Sequence, residues 1–244
     1  MIQEVFDALR VGEFAQLSIA NIDGDREMCD EDKAELIPHI NLGLAALYKR
    51  FKLKEGIATL ILKENKYEYM LTPQYATNDP LLDSEAYLVE NLQCAYLDAL
   101  VKVEEISTLE GKPLVLNQRG DNRSLFTPSA THLKVPKTIM SDAFSCPPLK
   151  YLEIRYRARH KPLNAYEAAC GSMGYELELP MEYMYALCCF VASRKFMPVG
   201  MTQEHHTGNS YYAKYEAECN RLMYENMDQD VDNGDCKMDD KGMP

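Results

Sequence analysis

The sequence contains no tryptophan, no long apolar run and no recognisable leader. Its longest strongly apolar run, residues 186–192, is far shorter than the roughly 20 residues that a membrane-spanning helix needs. Residues 1–4 lack the basic and apolar regions of a signal peptide. The sequence therefore predicts a product made in the cytoplasm, with no membrane partner.

The motifs of the common catalytic and nucleotide-binding sites are also missing. The chain has no GxSxG, no Walker-type glycine loop, no HExxH and no GxGxxG. A Cys–His enzyme leaves no such local signature and stays an open alternative, but we expect a protein that is not an enzyme.

Cysteine pairs with the spacing of metal or redox sites are absent. The eight cysteines are scattered singly, apart from Cys188 and Cys189, so we expect buried thiols. His205 and His206 lack further ligands at useful spacing, and the acidic loop at residues 21–32 lacks the closing glutamate of an EF-hand. We expect no metal and no other cofactor.

An excess of basic charge is missing as well. The formal net charge is −12 and the calculated pI is near 4.9. A protein that holds nucleic acid by neutralising phosphates needs a basic surface. The composition therefore argues against a nucleic-acid-binding protein.

The pattern of apolar residues predicts an α+β fold. We expect a discontinuous helical bundle from residues 1–54 and 161–227, an inserted antiparallel β-rich region of about six strands at 55–160, and an acidic C-terminal tail at 228–244. At 244 residues the chain is long enough to bury roughly 70% of its unfolded surface. The tail lacks apolar periodicity.

Local signals divide the inserted region further. Residues 57–62 and 67–71 are β-prone runs joined by residues 64–66, which predicts a hairpin. Residues 84–92 are compatible with a short helix. The sequence also predicts strands at the ranges that follow: 100–108, 112–117, 131–135 and 149–158.

Residues 179–227 contain the most informative helices. We expect an apolar helix that starts at Pro180 and ends before Pro198. One of its faces is apolar, with Tyr183, Ala186, Leu187, Phe190 and Val191, and its other faces are apolar too. Such a helix belongs at the centre of a bundle or at a subunit interface. A second helix is predicted from about Thr207 to Met227.

Two sets of side chains suggest contact surfaces. The tyrosines of the last helix, among 16 in the chain, favour an interface because tyrosine combines a large contact area with a polar tip. Arg155, Arg157 and Arg159 alternate along a predicted strand and so share one face. That row is a solvated sheet face, a docking surface for an acidic partner such as the tail of a neighbouring copy, or a contact to DNA, which the acidity of the rest of the chain disfavours.

Three blocks of sequence resemble the head-to-tail adaptors, or head completion proteins, of tailed bacteriophages. The first is residues 32–51, which contain INLGLAALYKRF. The second is the DALVKVEE, LVLN and LFTPS segments of residues 98–129. The third is ELP at 178–180, FVASR at 190–194 and YYAKY at 211–215. The resemblance extends over most of residues 30–227.

The resemblance implies a virion structural protein of the neck between capsid and tail. Such adaptors form a ring, commonly of twelve copies, which docks on the portal protein and extends the DNA channel. They offer a platform for tail tube, nozzle or tail fibre proteins, and DNA passes without specific binding. Their C-terminal segment often reaches the portal, a role that suits the acidic tail here.

Together these observations predict the residues of the subunit or portal interface. They are Phe190, Tyr211, Tyr212, Tyr215, Arg155, Arg157, Arg159, Asp228, Asp230, Asp232 and Asp235. Two alternatives remain open at this point. One is a cytoplasmic anion-binding enzyme or enzyme subunit that uses Arg119, Arg123 and the arginine row. The other is a different neck component, such as a stopper or a tail-tube ring.

Overall fold

The computed structural model describes residues 2–12, 28, 30–77, 85–89, 99–143, 150–164, 177–196 and 202–225, with side chains 142–143 and 202–206 excepted. Five α-helices lie in these residues. They are α1 (Ile2–Val11), α2 (Asp30–Arg50), α3 (Lys137–Ala143), α4 (Met184–Phe196) and α5 (Thr202–Tyr224). Short 3₁₀ turns occur at Pro73–Tyr75 and Met181–Tyr183.

The strands of the described residues form two sheets. They are β1 (Glu55–Ile61), β2 (Glu68–Met70), β3 (Ala76–Thr77), β4 (Leu88–Val89), β5 (Leu100–Thr108), β6 (Phe126–Ser129), β7 (His132–Lys134) and β8 (Tyr151–Ala158). Sheet A has the order β3-β4-β1-β8-β5, and sheet B has the order β2-β7-β6. All pairs are antiparallel except β3 with β4.

The chain is α+β and divides into two compact units. The helical unit comprises the residues up to Leu47 and those from Leu163 onward, and the β-rich unit is Tyr48–Pro162. Helices α1, α4 and α5 and most of α2 belong to the first unit. Both sheets and α3 belong to the second, so the N- and C-terminal segments supply the helices and the inserted region supplies the strands.

Helix α2 shows how the sequence specifies the helical unit. Carboxylates occupy its first turn and Lys49 and Arg50 its last, which suits the helix dipole. The spacing of Leu36, Ile40, Leu44, Leu47 and Phe51 predicts one buried face, and all five side chains are buried. Proline at position 38 predicts either a kink or the first turn of the helix, and Pro38 lies inside the helix, beyond the first turn.

Helix α4 has the predicted buried face, with a different beginning. Pro180 is extended and precedes the 3₁₀ turn, and the α-helix starts at Met184. Tyr183, Phe190 and the other side chains of the predicted face are buried. Helix α5 begins at Thr202, five residues before the predicted start.

The strand partners in the β-rich unit differ from those predicted. Strand β1 pairs with β4 and β8, and β2 pairs with β7, so β1 and β2 are not a hairpin. At the turn between them, Asn65 has a φ of 60°, and the Tyr69 hydroxyl accepts a hydrogen bond from the Lys63 N–H at 2.9 Å. The turn therefore sends the chain from sheet A into sheet B.

Other details of this region were also predicted incorrectly. Residues 88–89 are a strand, not part of a helix, and residues 112–117 make only isolated bridges. The polar composition of residues 118–130 predicts a long loop, but strand β6 lies within them, and α3 was not predicted. Strands β5 and β8 agree closely with the predicted ranges because their alternating pattern is long.

Candidate interaction surfaces

Two of the predicted interface residues are core residues of the helical unit. Phe190 on α4 and Tyr215 on α5 are 5% and 3% exposed. Their rings pack edge to face with centroids 5.2 Å apart. Because each ring is already covered within one chain, the prediction that Phe190 and Tyr215 lie on an interface surface is wrong.

The same finding corrects the broader argument from the apolar helix. Cys188, Cys189 and Ala192, on the other faces of α4, are also buried in a single chain. Helix α5 contributes Cys219 and Leu222 to the buried set, and α4 and α5 pack against each other. The helix lies in the core of its own subunit, and its composition does not require a second copy.

The remaining tyrosines of α5 lie nearer the surface. Tyr211 is partly buried and stacks on Phe196 with centroids 5.6 Å apart. Tyr212 is 39% exposed, and Met223 and Tyr224 at the end of the helix are 49% and 90% exposed. We call Tyr212, Met223 and Tyr224 the α5 surface.

An open depression adjoins the α5 surface. It has a volume of about 410 Å³, and the residues described along it are Asn220, Met223 and Tyr224. Arg221 on the same helix turn is held by Glu218 and Glu225, so this end of α5 is fixed by ion pairs. The predicted interface residues Asp228, Asp230, Asp232 and Asp235 lie outside the described residues.

The arginine row is on one face of sheet A, as the alternation predicted. Arg155, Arg157 and Arg159 alternate with the buried Tyr156 and Ala158. Arg157 Nε lies 2.9 Å from Glu104 Oε1 on β5, an ion pair whose direction is not that of an aligned hydrogen bond. Its Nη1 also donates to the Lys49 carbonyl at 3.1 Å.

Carboxylates on the same face balance this row. Arg155 lies 3.7 Å from Glu105 on β5 and 3.7 Å from Glu153 on its own strand. Opposite charges on neighbouring strands are an ordinary way to stabilise a solvated sheet face. The geometry therefore favours the solvated sheet face over a docking surface for an acidic partner.

Sequence reasoning missed a second exposed surface, on the β-rich unit. Residues 109–123 connect β5 towards β6, and we call them the β-unit tip. Leu109 is 60% exposed and Val115 is 39% exposed. Arg119 and Arg123, proposed above as anion ligands, are also exposed here.

Hydrogen bonds fix the β-unit tip. Leu125 N donates to the Val115 carbonyl at 2.9 Å, and Asn117 N donates to the Leu125 carbonyl at 2.8 Å. Gln118 N donates to the buried Ser124 hydroxyl at 2.8 Å. Asn117 and Gly120 have positive φ values of 58° and 92°. The exposed apolar side chains are thus presented by a preorganised loop.

Shifted pKa values occur in both units, and one of them lies beside the depression, where Glu218 and Glu225 raise the pKa of Arg221. In the helical unit the ion pair with Lys195, 2.8 Å away, lowers the pKa of Glu35. In the β-rich unit Lys134, 2.7 Å away, lowers the pKa of Glu68. Burial raises the pKa of Tyr87 to about 12. Among the described residues, the shifted groups belong to ion pairs and packed aromatic clusters, apart from His39, whose pKa is lowered by burial.

The described residues contain neither a cluster of metal-binding side chains nor a membrane-spanning helix. No group of three or more His, Cys, Asp or Glu side chains there is arranged to hold a metal ion. None of the helices described is both long and apolar enough to cross a membrane. The side chains of His205 and His206, and the acidic loop residues Asp23 and Asp25, lie outside the described part of the chain.

Comparison with known proteins adds nothing to the fold class. No known protein family matches it, and no curated protein sequence is a recognisable relative. The fold is α+β, with one candidate surface on each unit.

Proposed function

We propose that the protein is a head-to-tail adaptor of a tailed bacteriophage, located in the virion neck. Apart from the resemblance of residues 30–227, one observation supports this most: each unit exposes large apolar side chains, among them those of the α5 surface and the β-unit tip. A connector has to hold different partners at the same time. Two surfaces of different chemistry suit that task.

The residues of the two surfaces are typical of protein interfaces. Tyrosine, methionine and arginine are enriched at the centres of interfaces, and the α5 surface supplies two tyrosines and a methionine. The β-unit tip combines Leu109 and Val115 with exposed arginines on a preorganised loop. Preorganisation lowers the entropy cost of binding, so such a loop is suited to recognition.

In the proposed assembly, copies form a ring of twelve that docks on the portal protein and extends the DNA channel. Its other side holds tail tube, nozzle or tail fibre proteins. A ring closes through a heterologous interface, in which different surfaces of neighbouring copies meet. DNA passes without specific binding, since a net charge of −12 disfavours contacts with phosphate.

Native mass spectrometry of the protein alone and mixed with the portal protein of the same virus tests the proposal. We expect a monomer alone and a ring on the portal. The paired change Met223→Ser with Tyr224→Ser, or Leu109→Ser with Val115→Ser, should weaken assembly about tenfold or more, the effect of losing one interface hot spot. Leu42→Ser, at an exposed leucine outside both surfaces, is the matched control.

The outcomes separate clearly. Loss of assembly in the paired variants but not in Leu42→Ser, with unchanged melting temperatures, supports the adaptor. A protein that does not bind the portal protein and stays monomeric at all concentrations contradicts the adaptor proposal. If the portal binds equally well to all variants, the two surfaces are not the ones used.

A further inference from the structure

Three tyrosines converge in the β-rich unit, around the turn that separates β1 from β2. Tyr69 lies on β2, Tyr75 ends a 3₁₀ turn and Tyr87 precedes β4. The Tyr69 and Tyr87 rings meet edge to face at 5.1 Å, and Tyr75 stacks on Tyr87 at 4.7 Å. We call these three residues the tyrosine cage.

Hydrogen bonds hold two of the rings in place. The Tyr87 hydroxyl accepts from the Met70 N–H at 2.8 Å and donates to the Met70 carbonyl at 3.0 Å. The Tyr69 hydroxyl accepts from the Lys63 N–H at 2.9 Å. Because Tyr87 adjoins sheet A and Met70 belongs to sheet B, these bonds also connect the two sheets. The rings are therefore fixed before any ligand is considered.

A cation occupies the cage. The Lys66 Nζ lies 4.0 Å from the Tyr87 ring centroid, 5.4 Å from that of Tyr75 and 5.7 Å from that of Tyr69. All three distances are within the range of a cation–π attraction. Burial, with the nearby Lys63, lowers the pKa of Lys66, and Glu85 opposes this. Removing the Lys66 ammonium group from water costs free energy, and its attraction to the three aromatic rings offsets that cost.

We propose that Tyr69, Tyr75 and Tyr87 form a binding site for an alkylammonium ion, whose resident ligand is Lys66 of the same chain. The internal ligand holds the turn at residues 63–66 against both sheets. The site recognises the positive charge and the short alkyl stem rather than a particular molecule. An amine of the right length should enter when the lysine is shortened.

The charge is tested first by substitution at position 66. Lys66→Met keeps the alkyl stem and removes the charge, whereas Lys66→Arg keeps a cation. Loss of a cation–π attraction of this kind should lower the melting temperature of Lys66→Met by about 2–6 °C relative to the native chain. Lys66→Arg should fall between the two. Lys63→Met, at the other lysine of the turn, is the matched control and should change little.

Chemical rescue tests the site itself. Lys66→Ala lacks the atoms Cγ to Nζ, and propylammonium supplies them. Propylammonium at up to about 0.5 M should raise the melting temperature of Lys66→Ala in a saturable way, since a weak cation–π attraction gives a dissociation constant well above the millimolar range. Its methylene proton resonances should move upfield through the tyrosine ring currents. The neutral 1-propanol and an equal concentration of sodium chloride should do neither, and Lys66→Ala with Tyr87→Leu should not respond.

Each result decides the proposal. Saturable rescue by propylammonium alone supports an ammonium site. A Lys66→Met chain as stable as the native one, or rescue by propanol as large as that by propylammonium, overturns it, since packing would then explain the lysine. The outcome is independent of the adaptor proposal, because neither experiment involves portal or assembly.

Discussion

The two units of this protein differ most in charge. The β-rich unit contains 17 Lys and Arg against 14 Asp and Glu, a net charge of +3, whereas the remaining residues contain 9 against 24, a net charge of −15. The acidity of the chain thus belongs entirely to the helical unit and the segments assigned with it. In an adaptor ring, only that part would repel DNA phosphates, so the charge argument for a non-binding channel applies to it alone.

The units also build their cores differently. The α4–α5 pair of the helical unit packs mainly alanine, cysteine, leucine and phenylalanine, with Tyr215 as its one buried tyrosine among the described residues of the two helices. The β-rich unit buries whole tyrosines, among them Tyr69, Tyr87 and Tyr156. A buried tyrosine needs a partner for its hydroxyl, as Tyr69 and Tyr87 show, and this requirement fixes its orientation. We therefore expect the helical core to respond to lost volume and the β-rich core to respond to displaced rings.

The largest effect is expected for Phe190→Ala. Removing this buried ring should reduce the free energy of unfolding by about 3–5 kcal/mol, measured by urea denaturation. Tyr212→Ala, on the exposed side of α5, should change it by less than about 0.5 kcal/mol. A Phe190→Ala chain that is fully stable but fails to assemble would contradict the core role of Phe190 and favour an interface role.

Gly56→Ala and Gly43→Ala compare the two cores directly. A Cβ at Gly56 would meet the Tyr156 ring, which has no room to move, so we expect a loss of about 1–3 kcal/mol in the free energy of unfolding. A Cβ at Gly43 would lie 2.6 Å from Leu187 Cδ1, the end of a flexible side chain, and 3.1 Å from Phe190 Cδ1. Alanine also favours the helix by about 1 kcal/mol there, so the loss for Gly43→Ala should be smaller than that for Gly56→Ala by about that amount. Equal losses would contradict the rigid-ring argument.

Substitutions at Arg157 and Arg155 compare a buried and an exposed ion pair on the same face of sheet A. Arg157 and Glu104 are mostly buried, with side chains 16% and 19% exposed. Arg157→Met should therefore lower the free energy of unfolding by about 1–2 kcal/mol, because Glu104 then keeps only its ion pair with the more exposed Lys102. Arg155→Met breaks only exposed pairs and should cost at most about 0.5 kcal/mol. Chemical denaturation of both variants and the native chain in low and high salt measures the two losses. The loss for Arg155→Met should shrink in high salt, whereas the loss for Arg157→Met should not.

The smallest effect is a pH dependence confined to the helical unit. Burial, followed by the nearby Lys195, lowers the pKa of His39, and Glu35 partly opposes this. The unfolded chain then takes up this proton at a higher pH than the folded chain does. The free energy of unfolding should accordingly fall as the pH drops below about 6.5, the ordinary pKa of histidine, towards the lower pKa of His39 in the folded chain.

His39→Gln provides the test of that pH dependence. It should flatten the decrease in melting temperature between pH 7 and pH 5, because glutamine does not titrate. Parallel curves for the variant and the native chain would show that His39 does not contribute.

Periodicity predicted buried faces well and their partners poorly. The buried positions of α2 and α4 and the ranges of β5 and β8 followed from local spacing. The partner of β1 did not, because residues 64–66 look like a hairpin turn while β1 pairs with β8, about a hundred residues away. The β-unit tip was missed because its exposed leucine and valine show no periodic pattern.

The sequence alone determined the α+β class, the helical ends around an inserted β-rich region, and the faces that must be buried, since all of these follow from local hydrophobic spacing. Only the tertiary structure decided what covers those faces: α5 covers Phe190, Glu104 balances Arg157, and the tyrosine cage holds Lys66. The reason is physical. Spacing along the chain shows that a side chain leaves water, but distant residues of the folded chain determine what replaces the water.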